Sequence, residues 1–249
     1  MSINIVGDIA GQYYALQSLI AKMPPGDLIC VGDLCDRGPD SKKVLDLVMK
    51  FGTSVLSNHD HMLASIWEGS NYYEPLFWIL NGGITTLKSF LPNRWKELDQ
   101  AYLKAHLQRN TPSLDPTKNE VLNNTFRAYT RMIPKKYINW IKNLPKYIER
   151  EGILITHGPV NPNLPFEQTL MLGHVFSSPQ SLTSILWNRE LPRRNKRLAL
   201  QVSGHNPYRS VNWFKDQYGL FGVGIDTSAS AVLTGINLPS MKIYQHQYL

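Results

Sequence analysis

Over its first sixty residues the chain alternates short, mostly apolar runs with longer amphipathic stretches. "INIVG" (3–7), "DLICVG" (27–32) and "TSVLSN" (53–58) have the length and composition of buried strands. Between them, "QYYALQSLIAKM" (12–23) carries apolar residues at helical spacing and stops at Pro24 and Pro25. "PDSKKVLDLVMKF" (39–51) opens with a proline, has Asp40 and Ser41 at its start and ends at Gly52. The pattern predicts β-α-β-α-β, hence an α/β fold. From about 62 to 148 the chain is rich in Trp, Tyr, Asn and Lys, with helical patterns at 93–107 and 134–144 and no strong strand. Strands are predicted again at 152–158, 198–205, 219–228 and 231–239. We expect one domain over 1–249, with residues 62–148 as a helical insertion or cap within it.

Each predicted strand of the first part ends in a polar cluster: Gly7-Asp8, Gly32-Asp33 and Ser57-Asn58-His59-Asp60. Two later ones end in His157 and His205, each beside glycine. Ligands of open α/β sheets sit at the carboxyl ends of strands, so these clusters are expected to converge. Asp8, Asp33, Asn58, His59, His157 and His205 together offer two carboxylates, one amide and three imidazoles. That is a donor set for divalent Mn, Fe or Zn, and the lack of thiolates argues against a structural zinc site. The glycines give the backbone room to turn where an ion and a substrate must come close.

Composition narrows the setting. No apolar run approaches the roughly 18 residues of a membrane span, so no membrane partner is expected. The first residues run straight into a strand, which predicts no leader. Cys30 and Cys35 are too few and too close for a disulfide framework, so a reducing cytoplasm is the expected location. The net charge of +7 is partly concentrated at 131–150 and 189–197. It favours phosphorylated molecules, nucleic acid or acidic protein surfaces, although an ordinary basic surface explains it equally well and no specific nucleic-acid motif is present.

The motifs, in order, are "GDIAG" (7–11), "GDLCDRG" (32–38), "SNHD" (57–60), "THGP" (156–159) and "SGHNP" (203–207). Softer matches are "NGGITTL" (81–87), "LWNRE" (186–190) and "IDTSASAVLTGINLP" (225–239). This series resembles the calcineurin-like metallophosphoesterases, in the branch of phosphoprotein phosphatases and symmetrical diadenosine tetraphosphatases. The resemblance implies a two-sheet β-sandwich flanked by helices (α-β-β-α) and two divalent metal ions, Mn expected, with Fe, Zn, Ni and Co as alternatives. It places Asp8 on the first ion, Asp33 between both, and Asn58, His157 and His205 on the second. His59 would protonate the leaving oxygen, oriented by Asp36, while Arg37 and Arg189 hold the phosphate oxygens; Arg189 also reads as a surface charge in a basic run. The implied activity is hydrolysis of phosphate esters or anhydrides, on phosphorylated protein as by a serine/threonine phosphatase. A bis(5′-nucleosyl)-tetraphosphatase-like nucleotide hydrolase is the alternative, for which aromatics at 71–83 could stack on a base or simply pack the core. From another class comes an inactive phosphate- or nucleic-acid-binding relative.

Residue 10 departs from the motif. The family pattern has histidine there as a second ligand to the first ion, and this chain has Ala10. Three readings stay open: an engineered substitution that silences turnover, a natural site weakened at its first ion, or a natural non-catalytic binder. The intact His59, Asp36 and Arg37 weigh against the last. His61 is expected to face elsewhere rather than replace the missing ligand. Ser57, Asp60, Gly158 and Ser228 are smaller departures, none of them at a ligand.

Overall fold

The computed structural model describes residues 2–70, 72–110, 116–171 and 184–248. Asn71 and residues 111–115 of the expected insertion lie outside them. In β1 (Ile3–Val6) every residue is buried, but successive side chains enter different cores. Ile3 and Ile5 face a cluster shared with Ile29, Val55, Ile155, Val202 and Val223, whereas Val6 packs toward helices. Two faces with two apolar partners explain why the run reads as nearly continuous in sequence.

One sheet has the order β10-β9-β1-β2-β3, with β1 parallel to β2 (Asp27–Cys30), β2 parallel to β3 (Gly52–Ser54), and β1 antiparallel to β9 (Val232–Leu238). The antiparallel edge is β10 (Lys242–Gln247). The other sheet runs β4-β5-β6-β8-β7, from β4 (Tyr147–Arg150) through β5 (Ile153–Thr156), β6 (Leu200–Ser203) and β8 (Gly219–Gly224) to β7 (Asn212–Asp216). Residues of both sheets form the single cluster around Ile5 and Val202, so the sheets pack face to face.

Helices cover the first sheet. α1 (Tyr13–Lys22) buries Ala15, Leu16 and Leu19, and α2 (Ser41–Phe51) buries Ser41, Val44, Leu45 and Val48 at i, i+3, i+4, i+7. Next come α3 (Asn58–Glu68), α4 (Pro75–Trp78), α5 (Ile84–Phe90), α6 (Trp95–Asn110), α7 (Pro116–Thr130) and α8 (Lys135–Lys142); a short α9 (Phe166–Met171) follows β5. Trp78, Leu87, Phe126 and Tyr137 lie in the same buried cluster as Leu16 and Val44, so the helical segment shares the core of α1 and α2.

Three expectations need correction. The third strand is only Gly52–Ser54, not 53–58, because Ser57 caps a helix that starts at Asn58. The strands predicted at 152–158, 198–205 and 219–228 stop short, at Thr156, Ser203 and Gly224, and the residues beyond turn into the site. β4, β7 and β10 were not expected: "YIER", "NWFKD" and "KIYQHQ" are largely exposed edge strands without an apolar run. Cys30 and Cys35 are both buried and free. Among the described residues no helix is long and apolar enough to cross a membrane.

Ile5 is fully buried between the sheets. Ile5→Ala is expected to lower the unfolding free energy by about 2–5 kcal/mol, read from urea midpoints at unchanged m-value.

Candidate active site

Asp8 follows β1, Asp33 follows β2, His157 follows β5 and His205 follows β6. Side-chain atoms of Asp8, Asp33 and His157 all lie within 4.8 Å of one another, in a buried group. Asn58 and His59 arrive differently from expected, on the first turn of α3 rather than at a strand end. Ser57 caps that helix: its Oγ accepts from the Asp60 N–H at 3.1 Å and donates to Asp60 Oδ2 at 2.7 Å. Asp60 in turn accepts from the Leu34 and Cys35 N–H groups, both at 3.3 Å, which ties the helix start to the loop carrying Asp33. The cap therefore aims Asn58 and His59.

The donor set fits cations. His157 Nδ1–H donates to the Val31 carbonyl at 2.8 Å, leaving Nε2 with a lone pair. That lone pair faces Asn58 Oδ1 at 2.8 Å and Asp33 Oδ1 at 3.4 Å, so acceptors meet acceptors. Asp33 Oδ1 and His205 Nε2 are buried and have no hydrogen-bond partner. Atoms of this kind call for an ion or water among them. Burial pushes the His205 imidazole down to about 2, helped by neighbouring His157 and Arg189, and burial likewise lowers His157. Both rings are thus neutral, the form that ligates metal. Burial raises the Asp8 carboxyl well above its usual range, and the nearby Asp226 and Asp33 carboxylates raise it further. Crowded acids beside neutral imidazoles fit divalent cations.

Beside this group stands a second network. His59 Nδ1 lies 2.6 Å from Asp36 Oδ2, and Arg37 Nη2–H donates to His59 Nε2 at 3.1 Å. Asp36 is fully buried, with Oδ2 also accepting from Trp78 Nε1 at 2.8 Å and Oδ1 from Thr86 Oγ1 at 2.6 Å. Its N–H reaches Thr86 Oγ1 and Ser41 Oγ. Burial opposes charge on His59, but Asp33 and Asp36 outweigh it and raise its pKa. Arg189 donates to the His205 carbonyl at 3.0 Å, so it belongs to the site's rim. A cleft of about 580 Å³ opens there, lined by Asn161, Leu164, Trp187, Arg189 and Glu190 among others. Trp187 meets His205 edge to face at 6.1 Å.

Comparison with known proteins decides the family. The model described as calcineurin-like phosphoesterase matches residues 1–235. The chain belongs to that family. Among its relatives is the symmetrical bis(5′-nucleosyl)-tetraphosphatase of Photorhabdus laumondii, 40% identical over 82 residues, covering 30% of this chain and 30% of that protein. Another is serine/threonine-protein phosphatase 2 of Escherichia coli, 40% identical over 84 residues, covering 32% of this chain and 37% of that protein. The matched segment thus spans about a third of the length of these curated relatives. A crystal structure provisionally named a diadenosine tetraphosphatase covers 98% of this chain and 92% of its own, at TM-score 0.58 and 18% identity. A metallophosphoesterase from Sphaerobacter thermophilus covers 99% of this chain and 87% of its own, at TM-score 0.50 and 13% identity. Both likenesses concern the fold.

In this calcineurin-like phosphoesterase the site is also where the backbone is strained. Of the eight described non-glycine residues with positive φ, five are Ala10, Asp33, Asp36, Arg37 and His205. Each costs of order 1–3 kcal/mol and persists only where packing over-determines it. Gly204 shows why small residues flank the ligands: a Cβ there would lie 2.0 Å from Asp8 Oδ1. Ala10 is buried, its N–H donating to Asp33 O at 2.6 Å, and its methyl offers no ligand atom. His61 turns away, its Nδ1 3.3 Å from the Tyr73 hydroxyl.

The aromatic stretch 71–83 divides. Trp78 and Tyr73 are buried, which removes them as base-stacking surfaces, whereas Tyr72 and Phe77 are about half exposed. The basic runs are partly spent on ion pairs: Arg194 with Asp216, Arg197 with Glu167, Arg150 with Asp27 and Lys142 with Glu68. Thr86 and Asp226 carry no role in the expectations from sequence, and Trp78 stands there among the stacking candidates. The available signal was their position inside motif-like segments; the long-range contact to Asp36 leaves no local trace.

Removing one donor from buried Asp36 is expected to cost about 1.5–3 kcal/mol. Trp78→Phe and Thr86→Val should each lower the unfolding free energy by that amount, read from urea midpoints at unchanged m-value. Less than ~0.5 kcal/mol for both would contradict the network.

Proposed function

We propose that this chain is a metal-dependent phosphohydrolase that cleaves phosphate esters or anhydrides. The observation carrying the proposal is the pair of partnerless buried atoms, Asp33 Oδ1 and His205 Nε2, among acceptors that face one another. Asp8 and Asp33 would hold one cation, and Asp33, Asn58, His157 and His205 a second, with Mn²⁺ the expected ion. Bound divalent cations supply electrophilic stabilisation of the phosphoryl oxygens and a water acidic enough to attack near neutral pH.

The remaining work falls to side chains. Arg37 reaches from the loop of Asp36 toward the site, and Arg189 stands on its far rim. Two guanidinium forks would hold phosphoryl oxygens and orient the substrate. When a phosphoryl oxygen takes the Arg37 N–H, His59 Nε2 is released. The freed Nε2 of His59, whose ring is fixed by Asp36 and favoured in its protonated form by Asp33 and Asp36, would then take a proton from solvent and give it to the leaving oxygen.

Two substrate classes follow from the relatives' names: a phosphorylated protein or a dinucleoside polyphosphate. The cleft beside Arg189, about 580 Å³ in volume and walled by Trp187, supports the nucleotide over the phosphoprotein. A soluble, cytoplasmic setting is part of the same proposal. So is the reading of the helices between 62 and 148 as an insertion that braces Asp36.

Hydrolysis of p-nitrophenyl phosphate and of diadenosine tetraphosphate with added Mn²⁺ tests the proposal. His59→Asn is expected to lower kcat by about 10²–10⁴-fold without weakening Mn²⁺ binding. Ala10→His is expected to lower the Mn²⁺ concentration giving half-maximal rate by about 10–100-fold. Equal, negligible rates for the chain and Ala10→His, both with Mn²⁺ bound, would favour a non-catalytic binder.

A further inference from the structure

Ala10 leaves the first cation with fewer protein donors than the second, yet the buried charge around Asp8 is larger than two aspartates. Asp226, just beyond β8, is 3% exposed. The tips of β1 and β8 are in direct contact: a Cβ on Gly7 would lie 2.4 Å from the Ile225 carbonyl oxygen. Residues 8 and 226 follow these two positions, and both are buried. Asp226 Oδ1 accepts the Ser228 N–H at 3.0 Å, and among the described residues neither Asp8 nor Asp226 forms an ion pair with lysine or arginine. Of the charged groups around Asp8, Asp226 acts on it most strongly, ahead of Asp33, and it also acts on His157. Arg37 is the cation that offsets them, and it is engaged with His59.

We infer that Asp226 is a cation-site carboxylate in this chain, supplying to the first ion the anionic support that residue 10, an alanine, does not provide. Asp226 stands outside the tight trio of Asp8, Asp33 and His157, so it acts at one remove, as a supporting acid beside the ion rather than at its centre. The second observation behind it is the buried Asp33 Oδ1, which has no hydrogen-bond partner and belongs to the same group of side chains as Asp8. Three carboxyls withdrawn from water at adjoining strand ends stay ionised when positive charge stands among them, and otherwise hold protons. The inference rests on the metal-dependent reading above and adds a residue to it.

The test is Mn²⁺ titration by calorimetry, with Mn²⁺ alone as probe, on the full chain and on Asp226→Asn, Ala10→His and the double variant. The full chain is expected to bind two ions, one more weakly. Asp226→Asn should weaken that site about 10–100-fold and leave the tighter one unchanged. The double variant should recover most of the loss, since the imidazole replaces the missing support. With chelator and no metal, Asp226→Asn should melt no lower than the parent, because one of three repelling carboxylates is gone; with Mn²⁺ the parent should gain more. An Asp226→Asn isotherm identical to the parent's would overturn the inference while leaving the metal-dependent reading standing. So would equal weakening of both sites, or a lower melting temperature in chelator, either of which would mark Asp226 as a purely structural turn residue. A parent that binds no Mn²⁺ would overturn both.

Discussion

Carboxylates held out of water at neighbouring strand ends are the constraint around which this molecule is organised. Asp8, Asp33 and Asp226 are each only 3% exposed. Two such charges about 4 Å apart repel by roughly 4 kcal/mol at an effective dielectric of 20, and burial adds its own cost. A fold tolerates this when cations stand between the acids. The imidazoles of His157 and His205 do not serve, because burial keeps both uncharged. They are donors with lone pairs, set among acids. The chemistry of the site follows from that mismatch.

The surroundings show how the arrangement is held. α3 starts where it does because Ser57 and Asp60 cap each other, and Asp60 also grips the Asp33 loop. Asp36 is anchored from three separate helices, by Ser41 on α2, Trp78 on α4 and Thr86 on α5. The helical segment between the two halves of the sandwich thus fixes the acid that orients His59. A substitution at Trp78, 42 positions along the chain from Asp36, reaches His59 through two hydrogen bonds, Trp78 to Asp36 and Asp36 to His59.

Much of this was readable in the residues. Glycine-flanked acids at the ends of apolar runs pointed to convergence, since a strand needs neither the glycine nor the acid for its own packing. Asp8, Asp33 and His157 do meet. The same reasoning misplaced Asn58, because "TSVLSN" reads as a strand until Ser57 is seen to pair with Asp60 three residues on. β4, β7 and β10 escaped because each is an edge with one face in water, and alternating exposure over four to six residues leaves little apolar signal. Trp78 read as a possible stacking surface because its composition says nothing about Asp36. Asp226 was invisible for a related reason: its partner is 218 positions away, and only the contact of two strand tips brings them together.

The most direct measurement of the central claim is anomalous scattering from crystals grown with Mn²⁺, recorded on the unaltered chain. The account predicts two peaks about 3.5–4 Å apart. One would lie among Asp33, Asn58, His157 and His205, and the other, weaker, beside Asp8 on the side of Asp226. Ordered density for these side chains with no anomalous peak among them, at saturating Mn²⁺, would contradict it.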